Sequence, residues 1–90
     1  MNAKYLGKKK EKNEFGDVVH VYDPCVMICM KEKEESKFLR MMKYIESNYG
    51  WKYKYDLFTA FDEETAYVEV ADREGGDQFL EFYKEAKKVV

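Results

Sequence analysis

Apolar positions alternate with charged ones along almost the whole chain, and the exception is Cys25-Val26-Met27-Ile28-Cys29-Met30. On a strand, Cys25, Met27 and Cys29 point one way and Val26, Ile28 and Met30 the other. A strand apolar on both faces belongs inside a sheet, with cover on each side. Before it, Phe15 to Tyr22 reads as a strand centred on Val18, Val19 and Val21. Asp23-Pro24 then reverses the chain, because Asp favours turns and Pro has no N–H to give a ladder. The pattern predicts a hairpin between 15–22 and the apolar strand.

Residues 31–48 predict a helix. Phe38, Met41, Met42, Ile45 and Tyr49 recur at helical spacing, with Leu39 beside them. Glu32, Glu34 and Glu35 suit its N-terminal end and Gly50 its stop. Trp51 to Phe61 alternates with period two. Trp51, Tyr53, Tyr55, Leu57, Thr59 and Phe61 take the core side, and Lys52, Lys54, Asp56, Phe58 and Ala60 the other. Asp62-Glu63-Glu64-Thr65 is the expected turn, with 65–71 returning as a strand. That turn sets Phe61 opposite Ala66, Thr59 opposite Val68 and Leu57 opposite Val70. On the outside it sets Phe58 against Glu69 and Ala60 against Tyr67. Asp72 to Gly76 reads as a loop, and Asp77 as the N-cap of a last helix. Phe79, Phe82, Tyr83, Ala86 and Val90 form the apolar stripe of that helix.

From Cys25 onward this order resembles a split β-α-β unit of the ferredoxin-like kind that lacks its last strand. The expected fold is α+β, in the order ββαββα. A four-stranded antiparallel sheet takes the strand at 15–22 as its missing edge, and two helices lie on one face. Residues 1–14 hold Lys8-Lys9-Lys10-Glu11-Lys12 and are expected to be a flexible basic arm before a single domain at 15–90. The other sheet face is left open. On it fall Phe58, Tyr67, Glu69 and one row of the central strand, with His20 and Tyr22 at its margin. A contiguous apolar patch on a small domain marks an interface. The plainer expectation is that the arm folds over it.

Ninety residues suit one domain, and eight Tyr, six Phe and one Trp give it a large apolar surface to bury for its size. Net charge is −2 and points to no partner, but its distribution is uneven. Residues 1–12 carry five Lys against Glu11, whereas residues 56–81 carry nine acids against Arg73. Cys25 and Cys29 share a strand face ~13 Å apart, too far for a disulfide or a shared metal. They are expected to be buried structural thiols, with no cofactor. His20 is the only His, and no nucleophile is positioned for it. Gly75-Gly76 before a helix suits an anion, but Asp72, Glu74 and Asp77 would repel a phosphate. An enzyme is therefore not expected. The start shows no apolar leader and no run approaches a membrane span, so a cytoplasmic protein with no membrane partner is expected.

Two functional readings follow. In the first, the chain is a non-enzymatic protein–protein interaction module that docks by its open sheet face on a partner or on a second copy as a homodimer. Phe58 and Tyr67 are its apolar anchors, and Asp62, Glu63, Glu64 and Glu69 its steering charges. The concrete form of this reading is a viral or mobile-element inhibitor that occludes a nucleic-acid enzyme. In the second, the chain binds single-stranded nucleic acid. Bases would stack on Trp51, Tyr53 and Tyr55 beside Lys52, Lys54 and the Lys-rich arm. The alternation weighs against this, because it turns those rings toward the core.

Overall fold

The structure is a computed structural model that describes residues 1–7 and 9–90, and the side chains of all of these except 9–11 and 19–22. In chain order its elements are β1 (Asn2–Leu6), β2 (Lys9–Lys12), β3 (Val18–Tyr22), β4 (Cys25–Lys31), a 3₁₀ turn at Glu32–Glu34, α1 (Glu35–Tyr49), β5 (Tyr55–Ala60), β6 (Glu63–Glu69) and α2 (Arg73–Val89). Four strands form an antiparallel sheet in the order β1-β4-β6-β5, and β2 and β3 pair separately. The apolar run is therefore an inner strand, and the α+β architecture follows the split β-α-β order.

Both helices cover one face. Val26 and Ile28 on β4 and Ala66 and Val68 on β6 are fully buried, as are Phe38 and Ile45 of α1 and Phe79 and Ala86 of α2. Phe38 meets Tyr55 edge-on at 5.2 Å between ring centroids, and Phe79 meets Tyr53 at 4.8 Å. Each helix thus sets an aromatic ring on a tyrosine at or just before the start of β5, the kind of contact that contributes ~0.5–1.5 kcal/mol beyond area burial. Gly50 ends α1 with φ at 67°, and its N–H donates to the Glu46 carbonyl at 3.0 Å. This is the left-handed stop the sequence suggested.

The fourth strand differs from expectation. Asn2–Leu6, assigned to the basic arm, forms the sheet edge, with Ala3 opposite Ile28 and Tyr5 opposite Val26. The segment from Phe15 does not pair with β4. Its strand, β3, pairs with β2 instead, across a turn where Asn13 Oδ1 accepts from Phe15 N–H and Asp17 N–H. The physical reason is visible at Tyr5. Its ring lies on the bare backbone of Gly76, where an added Cβ would sit 2.8 Å from Cε1. The Arg73 guanidinium lies 5.2 Å from the same ring centroid. A strand carrying Ala3 and Tyr5 toward α2 therefore fills this edge.

Gly76 also explains the second difference. Gly75-Gly76 reads as a loop, but both lie inside α2, which begins at Arg73. Its cap is Asp72, whose Oδ1 accepts from Gly75 N–H at 2.8 Å, and Asp77 instead pairs with Arg73 at 3.3 Å. Gly76 accepts the cost of glycine in a helix because Tyr5 occupies the space of its side chain.

The third difference is register. β5 and β6 are joined by Phe61-Asp62 alone, with φ at 52° and 66°. Two successive positive φ values are a two-residue type I′ turn, the connection whose twist matches the strands. The pairing moves accordingly: Leu57 faces Ala66, Tyr55 faces Val68 and Phe58 faces Thr65. The shift is even, so each strand keeps its faces. Phe61, however, leaves the core and stands 99% exposed at the tip.

Two outcomes are expected in denaturant unfolding. Gly76→Ala forces the Tyr5 ring away and costs ~1–3 kcal/mol, the usual range for overpacking. Gly75→Ala meets nothing closer than 3.4 Å and leaves stability unchanged or raises it by up to ~1 kcal/mol. At the tip, Phe61→Asn with Asp62→Gly relieves a bulky residue at positive φ and stabilises by ~1–2 kcal/mol.

Candidate docking face

Alternation along each strand decides what lies on the side away from the helices. β4 presents Cys25, Met27 and Cys29 there; β6 presents Thr65, Tyr67 and Glu69; β5 presents Asp56, Phe58 and Ala60; and β1 presents Asn2, Lys4 and Leu6. Pairing sets these side by side in rows. One row is Lys4-Met27-Tyr67-Asp56, and the next is Asn2-Cys29-Thr65-Phe58. Phe58 and Tyr67 meet edge-on at 5.6 Å, joining the two rows diagonally. Phe58 remains 61% exposed, and Met27 and Tyr67 are half-buried.

No third layer covers these rows among the described residues. The molecule measures 48 × 32 × 16 Å. Sixteen ångströms accommodates a sheet and one layer of helices packed ~10 Å away, but not a further layer on the far side. Of the arm expected to fold over the face, Asn2–Leu6 lies beside it as β1 and Lys9–Lys12 pairs with β3. The open face, with Phe58, Tyr67 and Glu69 upon it, is thus where the pattern placed it. The assignment of His20 and Tyr22 to its margin concerns side chains outside those described.

The thiols depart from expectation. Cys29 is exposed and Cys25 half-buried, both on this open side. Burial pushes the Cys25 thiol above its usual range. The sequence showed a strand apolar on both faces, and the inference that both are covered holds only for Val26, Ile28 and Met30.

The acidic turn also divides. Asp62 and Glu63 are exposed at the tip. Glu64, expected beside them as a steering charge, points to the helix side and is 2% exposed. Thr59 Oγ1 donates to its Oε1 at 3.4 Å, and its Oε2 is buried with no hydrogen-bond donor among the described residues. Burial raises its pKa first, and the carboxylates of Glu35 and Glu32 on the helical side add to it. Glu34 moves the other way, held below the ordinary range chiefly by the Lys31 N–H that donates to it at 3.0 Å.

The aromatic strand of the nucleic-acid reading is not a continuous platform. Residues 51–54 lie outside β5, and Tyr53 and Tyr55 turn under the helices onto Phe79 and Phe38. Only Trp51 of the three is exposed, at 55%, lining an open groove with Lys52, Lys54 and Glu69. Among the described residues no three His, Cys, Asp or Glu side chains are grouped to hold a metal ion, and no helix is long and apolar enough to cross a membrane. No family model matches the chain, and no curated protein or solved structure matches it either.

What sequence reading missed is Phe61. A Phe before three acids reads as the end of a core strand. Only the two-residue connection exposes it, and nothing in Phe-Asp announces a type I′ turn, which usually carries Asn-Gly or Asp-Gly.

Because the Glu64 carboxyl has a raised pKa, the native state binds the proton more tightly than the unfolded chain, and stability falls as pH rises from the ordinary glutamate range upward. Glu64→Gln is expected to flatten that slope and raise the melting temperature at neutral pH, as read by thermal unfolding across pH. A variant that keeps the wild-type slope would show that Glu64 is not its source.

Proposed function

We propose that the chain is a small protein–protein interaction module that docks through the uncovered face of its sheet. The observation that carries this reading is the Cys25-Met27-Cys29 row of β4 beside Tyr67 and Phe58 with no layer over it among the described residues. A domain of this size gains little by leaving such residues wet unless a partner covers them. Phe58 and Tyr67 are the anchors, rigid rings of the type that dominates interface energetics. Lys4, Asp56 and Glu69 form a charged rim that orients the encounter.

Phe61 extends the surface to the hairpin tip. A bulky residue held at positive φ and fully exposed is unfavourable in the free protein, and such outliers cluster where binding uses them. With Asp62 and Glu63 beside it, the tip suits a basic recess on the partner. Occlusion of that recess is the mechanism, and an inhibitor of a nucleic-acid enzyme is one form of it. Glu64 takes no part, since its carboxyl is buried.

The test compares capture by the wild type and by Phe58→Asp from nuclease-treated lysate of the source organism or its host. The wild type is expected to retain a stoichiometric protein that Phe58→Asp loses, at matched circular dichroism and melting temperature. A protein retained equally by both would remove the sheet face from the reading. Retention only with nuclease omitted, falling steeply with salt, would establish the nucleic-acid reading instead.

A further inference from the structure

Resting on the reading that the uncovered face is a docking surface, we propose that its occupant is a second copy of this chain, packed face to face about a dyad that runs along the strands between β4 and β6. The charge order of the rows selects this axis. The row Lys4-Met27-Tyr67-Asp56 crosses the sheet from β1 to β5. It is basic at one edge, apolar in the middle and acidic at the other edge. A dyad along the strands exchanges β1 with β5 and β4 with β6. It sets Lys4 over the partner's Asp56 and Met27 over the partner's Tyr67, twice each by symmetry.

The row at the far end of β4 obeys the same rule. Lys31 pairs with Glu63 within the sheet, and both are exposed. The same dyad lays Lys31 over the partner's Glu63. Between these two rows, Cys29 falls over the partner's Thr65, and Phe58 over the partner's Asn2. At the opposite rim, Glu69 falls over the partner's Cys25, where water still reaches. A dyad running across the strands at the level of Met27 gives the reverse result. It would stack Lys4 on the partner's Lys4 and Asp56 on the partner's Asp56, a like-charge arrangement that interfaces avoid.

The size is adequate. The five, seven, seven and six residues of β1, β4, β6 and β5, rising ~3.3 Å each on strands ~4.8 Å apart, give a flat projection of ~400 Å² per copy. Two copies project to roughly 800 Å², and accessible area exceeds the projection because side chains stand out of the sheet. That reaches the ~1,000 Å² a specific interface requires. Inclining the dyad about 15° to the strands sets the two sheets at the aligned crossing of ~30° seen in sandwiches.

The experiment is sedimentation equilibrium of the full chain across a range of protein concentrations. The wild type is expected to dimerise, and Phe58→Asp to remain monomeric. Lys4→Glu and Asp56→Lys are each expected to weaken the dimer by about tenfold or more, because each reversal acts twice. The double variant Lys4→Glu/Asp56→Lys exchanges the charges and is expected to return to within about threefold of the wild type. Circular dichroism of every variant confirms the fold. A wild type monomeric throughout, a dimer indifferent to Phe58→Asp, or a double variant no better than the worse single would overturn the proposal. A monomer that still captures a different protein through Phe58 would overturn self-pairing alone and leave the docking face standing.

Discussion

A sheet with helices on one side hides only that side, and the pairing of β4 between β1 and β6 decides which residues are hidden. Val26, Ile28 and Met30 meet Phe38, Met41 and Phe79 under the helices and form the core. Cys25, Met27 and Cys29 alternate with them along the same strand and are committed by that choice to the other side. The open face is thus a direct consequence of the core. A slip of one residue in β4 would exchange the two rows and bury the thiols in place of Val26 and Ile28. The buried row is β-branched at two of its three positions, and the exposed row is built from sulfur-bearing side chains. Met in particular is unbranched and adapts its shape to its surroundings.

Much of this was legible in the residues. Period-two alternation from Tyr55 to Ala60, the helical stripes of α1 and α2 and the unbroken apolar run gave the layers and the identity of the open face. What was not legible came from contacts distant in sequence. Nothing near Asn2–Leu6 says that Tyr5 fits over Gly76, because that complementarity joins residues from opposite ends of the chain. The lysines around the segment mask it further, although Lys4 on an exposed edge is a common way to discourage unwanted strand pairing. The turn after Ala60 was hidden for a different reason. The run of acids with Thr65 reads as a four-residue turn, whereas strand twist demanded two residues with positive φ and accepted Phe-Asp in that role. Glu64 was misplaced by the same four-residue turn. Once the turn closes at Asp62, Glu64 becomes the first inward position of β6.

The electrostatics follow the same division. Asp62 and Glu63 stand at the hairpin tip and Asp56 and Glu69 on the open face, whereas Glu32 and Glu35 lie near the buried Glu64 where the helical turn after β4 meets the sheet. Acids of one short stretch therefore serve opposite ends. Some stand in water, and one is buried, which favours its neutral form.

The clasp of Tyr5 on Gly76 has a consequence for how the chain comes to be folded. β1 is synthesised first, but the helix surface that receives it is made more than sixty residues later, and the Tyr83 hydroxyl reaches back 82 positions to the Met1 carbonyl. While α2 is still in the ribosomal tunnel, β1 lacks the surface that its inner ring rests on, and β4 has an incompletely secured edge. Assembly of this sheet is consequently a closing step made after translation of α2, with a high loop-closure cost set by topology. Until then the edge of β4 that β1 takes in the finished sheet lacks its securing contact.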